Sequence, residues 1–233
     1  MTDHHVGRLS RLDTCLLSDA LAAEAIPGTL SGLVPVAAGR SFAGRASTVD
    51  LGPAGPATAG ARHLGTAALD AAVPGTVIVV AHHGVAGVAG WGGILSRGAV
   101  RAGVAGIVVD GAVRDVDEIR ELGLAVHAAA VTPRSARGTV VERGWNRPVD
   151  VQGVTVTPGD LVRADGSGVV VVPASMAGRV LDTAERLAER EAAMAAAVQD
   201  GIAMSQVMGA AYERAIQAQF HTATKGPDDH DST

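Results

Sequence analysis

Apolar positions recur in two alternating periods along the chain. Residues 9–24 carry Leu9, Leu12, Leu16 and Leu17 at helical spacing, and Pro27-Gly28 ends that helix. Short strands are predicted at 33–37 and 42–49, either side of Gly39-Arg40, with a loop at Gly52-Pro-Ala-Gly-Pro56. Residues 62–72 read as helical. Pro74-Gly75 then turns into a β-branched run, Thr76 to Val80. A glycine loop, Gly87-Val-Ala-Gly-Trp-Gly-Gly93, opens onto a helix from Ile94 to Ala102. A buried strand, Val104 to Val109, a short helix at 116–122 and a strand at 125–131 follow. This alternation predicts an α/β fold.

The second half adds strands at 148–156 and 168–172, separated by turn signals at Pro158-Gly159-Asp160 and Asp165-Gly166. Pro173 starts a long helix that runs to about Asp200, and Gly201 stops it. A further helix is predicted over 202–220, and the polar segment 226–233 reads as disordered. The expected organisation is one domain over 1–200, a helical extension over 201–225 and a tail over 226–233.

Composition narrows the function classes. Apolar residues make up 47% of the chain but aromatics only 2%, so the core is built from Val, Ala, Leu and Ile. That leaves few faces on which nucleic-acid bases could stack. The net charge of −5, without a basic cluster, also disfavours a polyanionic partner. A single cysteine, Cys15, excludes an internal disulfide framework. Residues 71–96 lack Asp, Glu, Lys and Arg, but Pro74, His82, His83 and six glycines interrupt them. A strand, loop and helix start inside a water-soluble core fit that stretch better than a membrane span. A soluble cytoplasmic protein is expected.

Four features carry candidate chemistry. Arg114 and Asp115 follow a buried strand at the end where α/β proteins place ligands. They read either as a turn ion pair or as an anion-binding guanidinium beside a hard oxygen ligand suited to Mg²⁺ or Mn²⁺. The loop Gly90-Trp-Gly-Gly93 reads either as a tight turn or as a nest of N–H donors at a helix start that hold a carboxylate. His82 and His83 are adjacent on a strand, so they point to opposite faces. They are strand-end polar residues, or one of them is a proton donor or a metal ligand, with His83 the catalytic candidate. Glu191 falls on an apolar stripe, Val180, Ala184, Leu187, Glu191, Met194 and Val198, at spacings of 4, 3, 4, 3 and 4. It is predicted to be buried against a polar partner, in a structural ion pair or as a site carboxylate presented across a subunit interface.

At these residues the chain resembles the RraA-like family, which includes class II aldolases that cleave 4-hydroxy-4-methyl-2-oxoglutarate and 4-carboxy-4-hydroxy-2-oxoadipate. The resemblance rests on Leu16-Leu-Ser-Asp-Ala-Leu21, Phe42-Ala-Gly-Arg-Ala-Ser-Thr-Val49, Gly106-Ile-Val-Val-Asp-Gly-Ala-Val-Arg-Asp115 and the segment Pro148 to Pro173. It implies a compact α/β domain of the swivelling β/β/α type, assembled as a trimer or a dimer of trimers with sites between subunits. Arg114 matches the substrate-binding arginine and Asp115 the residue that holds Mg²⁺. Residues 92–95 match the loop whose N–H groups hold a pyruvyl carboxylate. The chain departs from the aldolase pattern at Gly93, where an acid is usual.

The implied activity is a divalent-metal-dependent carbon–carbon lyase acting on a small 2-oxo acid. It would release pyruvate by retro-aldol cleavage, or by decarboxylation of oxaloacetate, with Arg114, Asp115, Glu191 and His83 as its catalytic groups. Two alternatives stay open: an enzyme of the same fold with a different reaction, and a non-catalytic regulator of a ribonuclease.

Overall fold

The structure, a computed structural model, describes residues 3–37, 41–55, 63–210 and 212. Two short helices, α1 (His4–Leu9) and α2 (Thr14–Ala23), precede the strands β1 (Thr29–Leu30), β2 (Val34–Ala37) and β3 (Phe42–Pro53). Next come α3 (Thr66–Asp70), β4 (Thr76–Trp91), α4 (Gly93–Arg101), β5 (Gly106–Val113), α5 (Val116–Glu121) and β6 (Val126–Val131). Five more strands follow: β7 (Val140–Trp145), β8 (Val149–Val151), β9 (Val154–Val156), β10 (Leu161–Asp165) and β11 (Gly168–Val172). The chain then enters α6 (Ala177–Gln199) and α7 (Met204–Val207).

One sheet organises the molecule, in the order β1-β11-β10-β3-β4-β5-β6-β2, with β7 also paired to β3. The centre, β3-β4-β5-β6, is parallel, while β10, β11, β2 and β7 join antiparallel. Both faces are covered, so the central strands are apolar on both sides. Val77, Val79 and Val108 face the β8–β9 hairpin, whereas Ile78, Val80, Ile107 and Val109 face α4 and α5. Helices α1, α2 and α6 cover Leu161, Val170 and Val172.

Several boundaries differ from the sequence expectations. The helix expected over 9–24 starts only at Thr14, where Asp13 caps it by accepting from Leu16 N–H (2.8 Å), and a separate helix, α1, precedes it. Asp165 further pins that start by accepting from Thr14 N–H and Oγ1 at 2.8 and 2.7 Å. The expected glycine loop 87–93 is largely strand. Val85, Ala89 and Trp91 pair irregularly with Gly111, Ala112 and Val113, so β4 runs on to Trp91 and α4 begins at Gly93. The strand expected to stop at Val109 continues to Val113, and β7 and β10 were not anticipated. Of the helix expected over 202–220, the described residues contain Met204–Val207 and continue to 210 and 212. The rest of that helix and the tail 226–233 lie outside the described residues. Among the described residues, no helix is long and apolar enough to cross a membrane.

Candidate active site

The C-terminal ends of β4 and β5 deliver their next residues to one place. Arg114 N–H donates to Trp91 O (3.0 Å), which locks the two strand ends together. Beyond Trp91 the chain turns through Gly92 into α4. The buried Trp91 indole N–H donates to Ser96 Oγ (3.0 Å), and that hydroxyl donates to Gly92 O (3.0 Å), tightening the first turn. Beyond Arg114 the chain passes through Asp115 in the left-handed region, φ 58°, and enters α5.

Asp115 faces α4. Its Oδ2 accepts from Gly93 N–H at 2.9 Å and lies 3.3 Å from Arg114 Nε. Both side chains are partly exposed, at 39% and 38%. A Cβ on Gly92 would come within 2.9 Å of Asp115 Oδ2 and 3.1 Å of Arg114 Cγ, so a side chain there would crowd the Arg114–Asp115 pair. The Ile94 and Leu95 N–H groups make no hydrogen bond among the described residues, as the second and third donors of a helix start. They belong to residues lining a cleft of about 700 Å³ shared with Arg114 and Asp115.

The opposite wall of the cleft comes from segments that sequence reasoning did not single out: His63 and Leu64 before α3, and Ser135 to Gly138 between β6 and β7. Ser135 is held by a bridge to Ala89, and Ala89 N–H donates to Arg134 O (2.9 Å). The only local hint was Pro133 and Gly138 bracketing a polar turn.

The other predicted residues do not join this cleft. His82 is buried, with Nε2 2.8 Å from Val88 O, and burial pushes its pKa below the usual histidine value. His83 is exposed, sits in the left-handed region at φ 53°, which interrupts regular strand alternation, and pairs with Asp50 (3.0 Å). Both line a second cavity of about 500 Å³, which shares only Val140 with the first. Glu191 corrects the stripe argument: α6 is buried at Ala177, Val180, Leu181, Thr183 and Ala184, but Glu191 is exposed within the chain. Leu187 and Ala188 still pack partly against the core, but further along α6 the apolar spacing continues without full burial among the described residues.

The donor set suits a hydrated divalent ion better than a protein cage. Among the described residues no group of three or more His, Cys, Asp or Glu could enclose a metal. Asp115 does present a carboxylate whose Oδ1 makes no hydrogen bond among those residues. Mg²⁺ commonly takes one or two carboxylates and completes its shell with water and substrate oxygens.

Comparison with known proteins agrees with this architecture. Residues 14–171 match the RraA-like family, described as Aldolase/RraA. The chain belongs to the RraA-like family. Among its relatives, "Putative 4-hydroxy-4-methyl-2-oxoglutarate aldolase" of Burkholderia mallei is 39% identical over 161 residues, covering 66% of this chain and 92% of that protein. Protein DlpA of Legionella pneumophila is 30% identical over 199 residues, 85% of this chain, and this chain spans 32% of its length. The crystal structure of Streptomyces coelicolor RraAS2, an unusual member of the RNase ES inhibitor RraA protein family, superposes with a TM-score of 0.74. It is 33% identical, over 82% of this chain and 95% of that one. An uncharacterized protein of Pseudomonas syringae pv. tomato gives a TM-score of 0.78 at 29% identity, covering 88% and 96%. The RraA-like fold expected from the sequence is therefore the one observed.

Proposed function

We propose that this RraA-like protein is a divalent-metal-dependent carbon–carbon lyase that releases pyruvate from a small 2-oxo acid. The observation that carries this reading is one cleft holding the unpaired Ile94 and Leu95 N–H groups, the Arg114 guanidinium and the Asp115 carboxylate. The N–H groups at the start of α4 suit the substrate carboxylate, which the helix dipole also favours. Asp115 would hold Mg²⁺ or Mn²⁺, an ion that supplies Lewis-acid polarisation of the 2-oxo group. Arg114 stabilises the negative charge that develops on the 2-oxo oxygen as the adjacent carbon–carbon bond breaks. Proton uptake by the resulting enolate gives pyruvate; the other product is a carbonyl compound, or CO₂ when the substrate is oxaloacetate.

His83 has no place in this scheme, because it lines the other cavity. Glu191 can reach the cleft only from a neighbouring copy, so its role belongs to a trimeric or hexameric assembly, which we propose together with the reaction. The decisive assay measures pyruvate release from 4-hydroxy- and 4-carboxy-2-oxo acids with and without EDTA. EDTA-sensitive release is expected, and its absence with every such acid overturns the proposal.

A second reading is supported by the likeness to RraAS2 and by the lack of an acid at Gly93. In it the protein inhibits a ribonuclease by contact and turns nothing over. A stoichiometric, inhibitory ribonuclease complex together with no turnover of any such acid selects it.

A further inference from the structure

We propose that Glu118 is a positioning residue for the first turn of α4, acting through Arg97 and Gly93 to keep the Ile94 and Leu95 N–H groups aimed into the cleft. The inference rests on the 2-oxo acid reading for the identity of the ligand, not for the role of Glu118.

Helix α4 starts without a side-chain cap of its own, since Gly92 occupies the cap position. Its hold comes from α5. Asp115 and Glu118 are three residues apart at the start of α5, and Gly93 and Arg97 are four apart on α4, so each pair shares a helix face. Asp115 Oδ2 accepts from Gly93 N–H, and Glu118 Oε1 accepts from Arg97 Nε at 2.5 Å. The other Glu118 oxygen lies directly over Gly93, where any Cβ would overlap it. Glu118 therefore spans the first turn of α4 from Gly93 to Arg97. Ile94 and Leu95 lie inside that span.

Both flanking charges are matched, Asp115 by Arg114 and Glu118 by Arg97. The two carboxylates thus leave the helix start open to an incoming anion. Arg97 is 60% exposed and Glu118 29%, so the pair adds little to global stability and its effect is local.

The test uses the full-length protein and oxalate as the probe. Amide hydrogen exchange at Gly93 to Ser96 and oxalate affinity by calorimetry are compared in wild type, Glu118→Ala, Glu118→Gln, Arg97→Ala and Gly93→Ala. Glu118→Ala and Arg97→Ala should speed exchange in that turn. They should also weaken oxalate about tenfold, the scale for misaligned donors to a charged acceptor, with the melting temperature moving by no more than about 4 °C. Glu118→Gln, which can still accept from Arg97, should recover most of the affinity.

Gly93→Ala should mimic Glu118→Ala by pushing the carboxylate aside, and the double variant should be no worse than either single one. Wild-type exchange and affinity in Glu118→Ala, or fully additive effects of Gly93→Ala and Glu118→Ala, overturn the proposal. If wild type fails to bind oxalate at all, the 2-oxo acid reading falls, while the exchange rates still decide the role of Glu118.

Discussion

Asp115 Oδ2 accepts a hydrogen bond from Gly93 N–H at 2.9 Å, tying the start of α5 to the helix that follows β4. One oxygen of the carboxylate thus fixes the architecture and the other is left for chemistry. Asp115→Asn should separate the two roles. Its amide oxygen can still accept from Gly93 N–H, so the fold should persist, but the negative charge that would hold a divalent ion is gone. Mn²⁺ affinity by titration and pyruvate release should each fall at least about 100-fold. Wild-type turnover in a folded Asp115→Asn protein refutes the metal role.

Arg114 offers a planar fork that a lysine cannot copy. Arg114→Lys keeps the charge but loses bidentate binding and the contact at Asp115. Steady-state kinetics should show kcat/KM reduced about 100-fold, roughly 3 kcal/mol of transition-state stabilisation. A loss of less than threefold places the substrate elsewhere.

Buried histidines set an acid limit on stability. His82 and His127 are 2% and 1% exposed, and burial lowers both pKa values, partly offset by contacts to the carbonyls of Val88 and Asp165. The unfolded chain therefore takes up protons first. The stabilisation is fully present above the ordinary histidine value of 6.5 and is lost as pH falls below it. Melting temperature should be level from pH 8 to 7 and decline from pH 6.5 to 5. A flat profile over the acid range contradicts the neutral state of these rings.

Two glycines should respond oppositely to alanine. A Cβ at Gly44 on β3 would overlap the Gly75 carbonyl oxygen, a backbone atom with no room to yield. Gly44→Ala should destabilise by about 1–3 kcal/mol in chemical denaturation. Gly178, near the start of α6, has nothing within 4 Å of its would-be Cβ. Gly178→Ala should stabilise by about 0.4–1 kcal/mol, because alanine restricts the unfolded chain more than glycine does.

Glu191 provides a test of assembly. It is exposed within the chain, so Glu191→Gln should change stability by less than about 0.5 kcal/mol. If a neighbouring copy brings it to the cleft, turnover should fall at least about tenfold while sedimentation shows an unchanged oligomer. Full activity in Glu191→Gln removes this residue from the site.

The parallel centre of the sheet was legible in the sequence. Val77 to Val80 and Ile107 to Val109 are uninterrupted apolar runs, and only strands covered on both faces use such runs. Arg114 and Asp115 were legible for the same reason, since their place after β5 follows from local order alone. Alternation did not separate His82 from His83 as expected: His83 turns into the left-handed region, and both rings line one cavity. What periodicity could not show was where packing stops. Glu191 keeps the stripe's spacing, yet full burial on α6 ends at Ala184 and thins to the partly buried Leu187 and Ala188, an edge that only the tertiary structure defines. Pairing is likewise non-local. Glycines 87 to 90 look like a loop until β5 supplies hydrogen bonds that hold them as strand. The far wall of the cleft, from Ser135 to Gly138, and the placement of Glu118 over Gly93 depend on how separate segments dock. Spacing along a chain reports which face a residue shares with its neighbours in sequence; only folding decides what stands opposite that face.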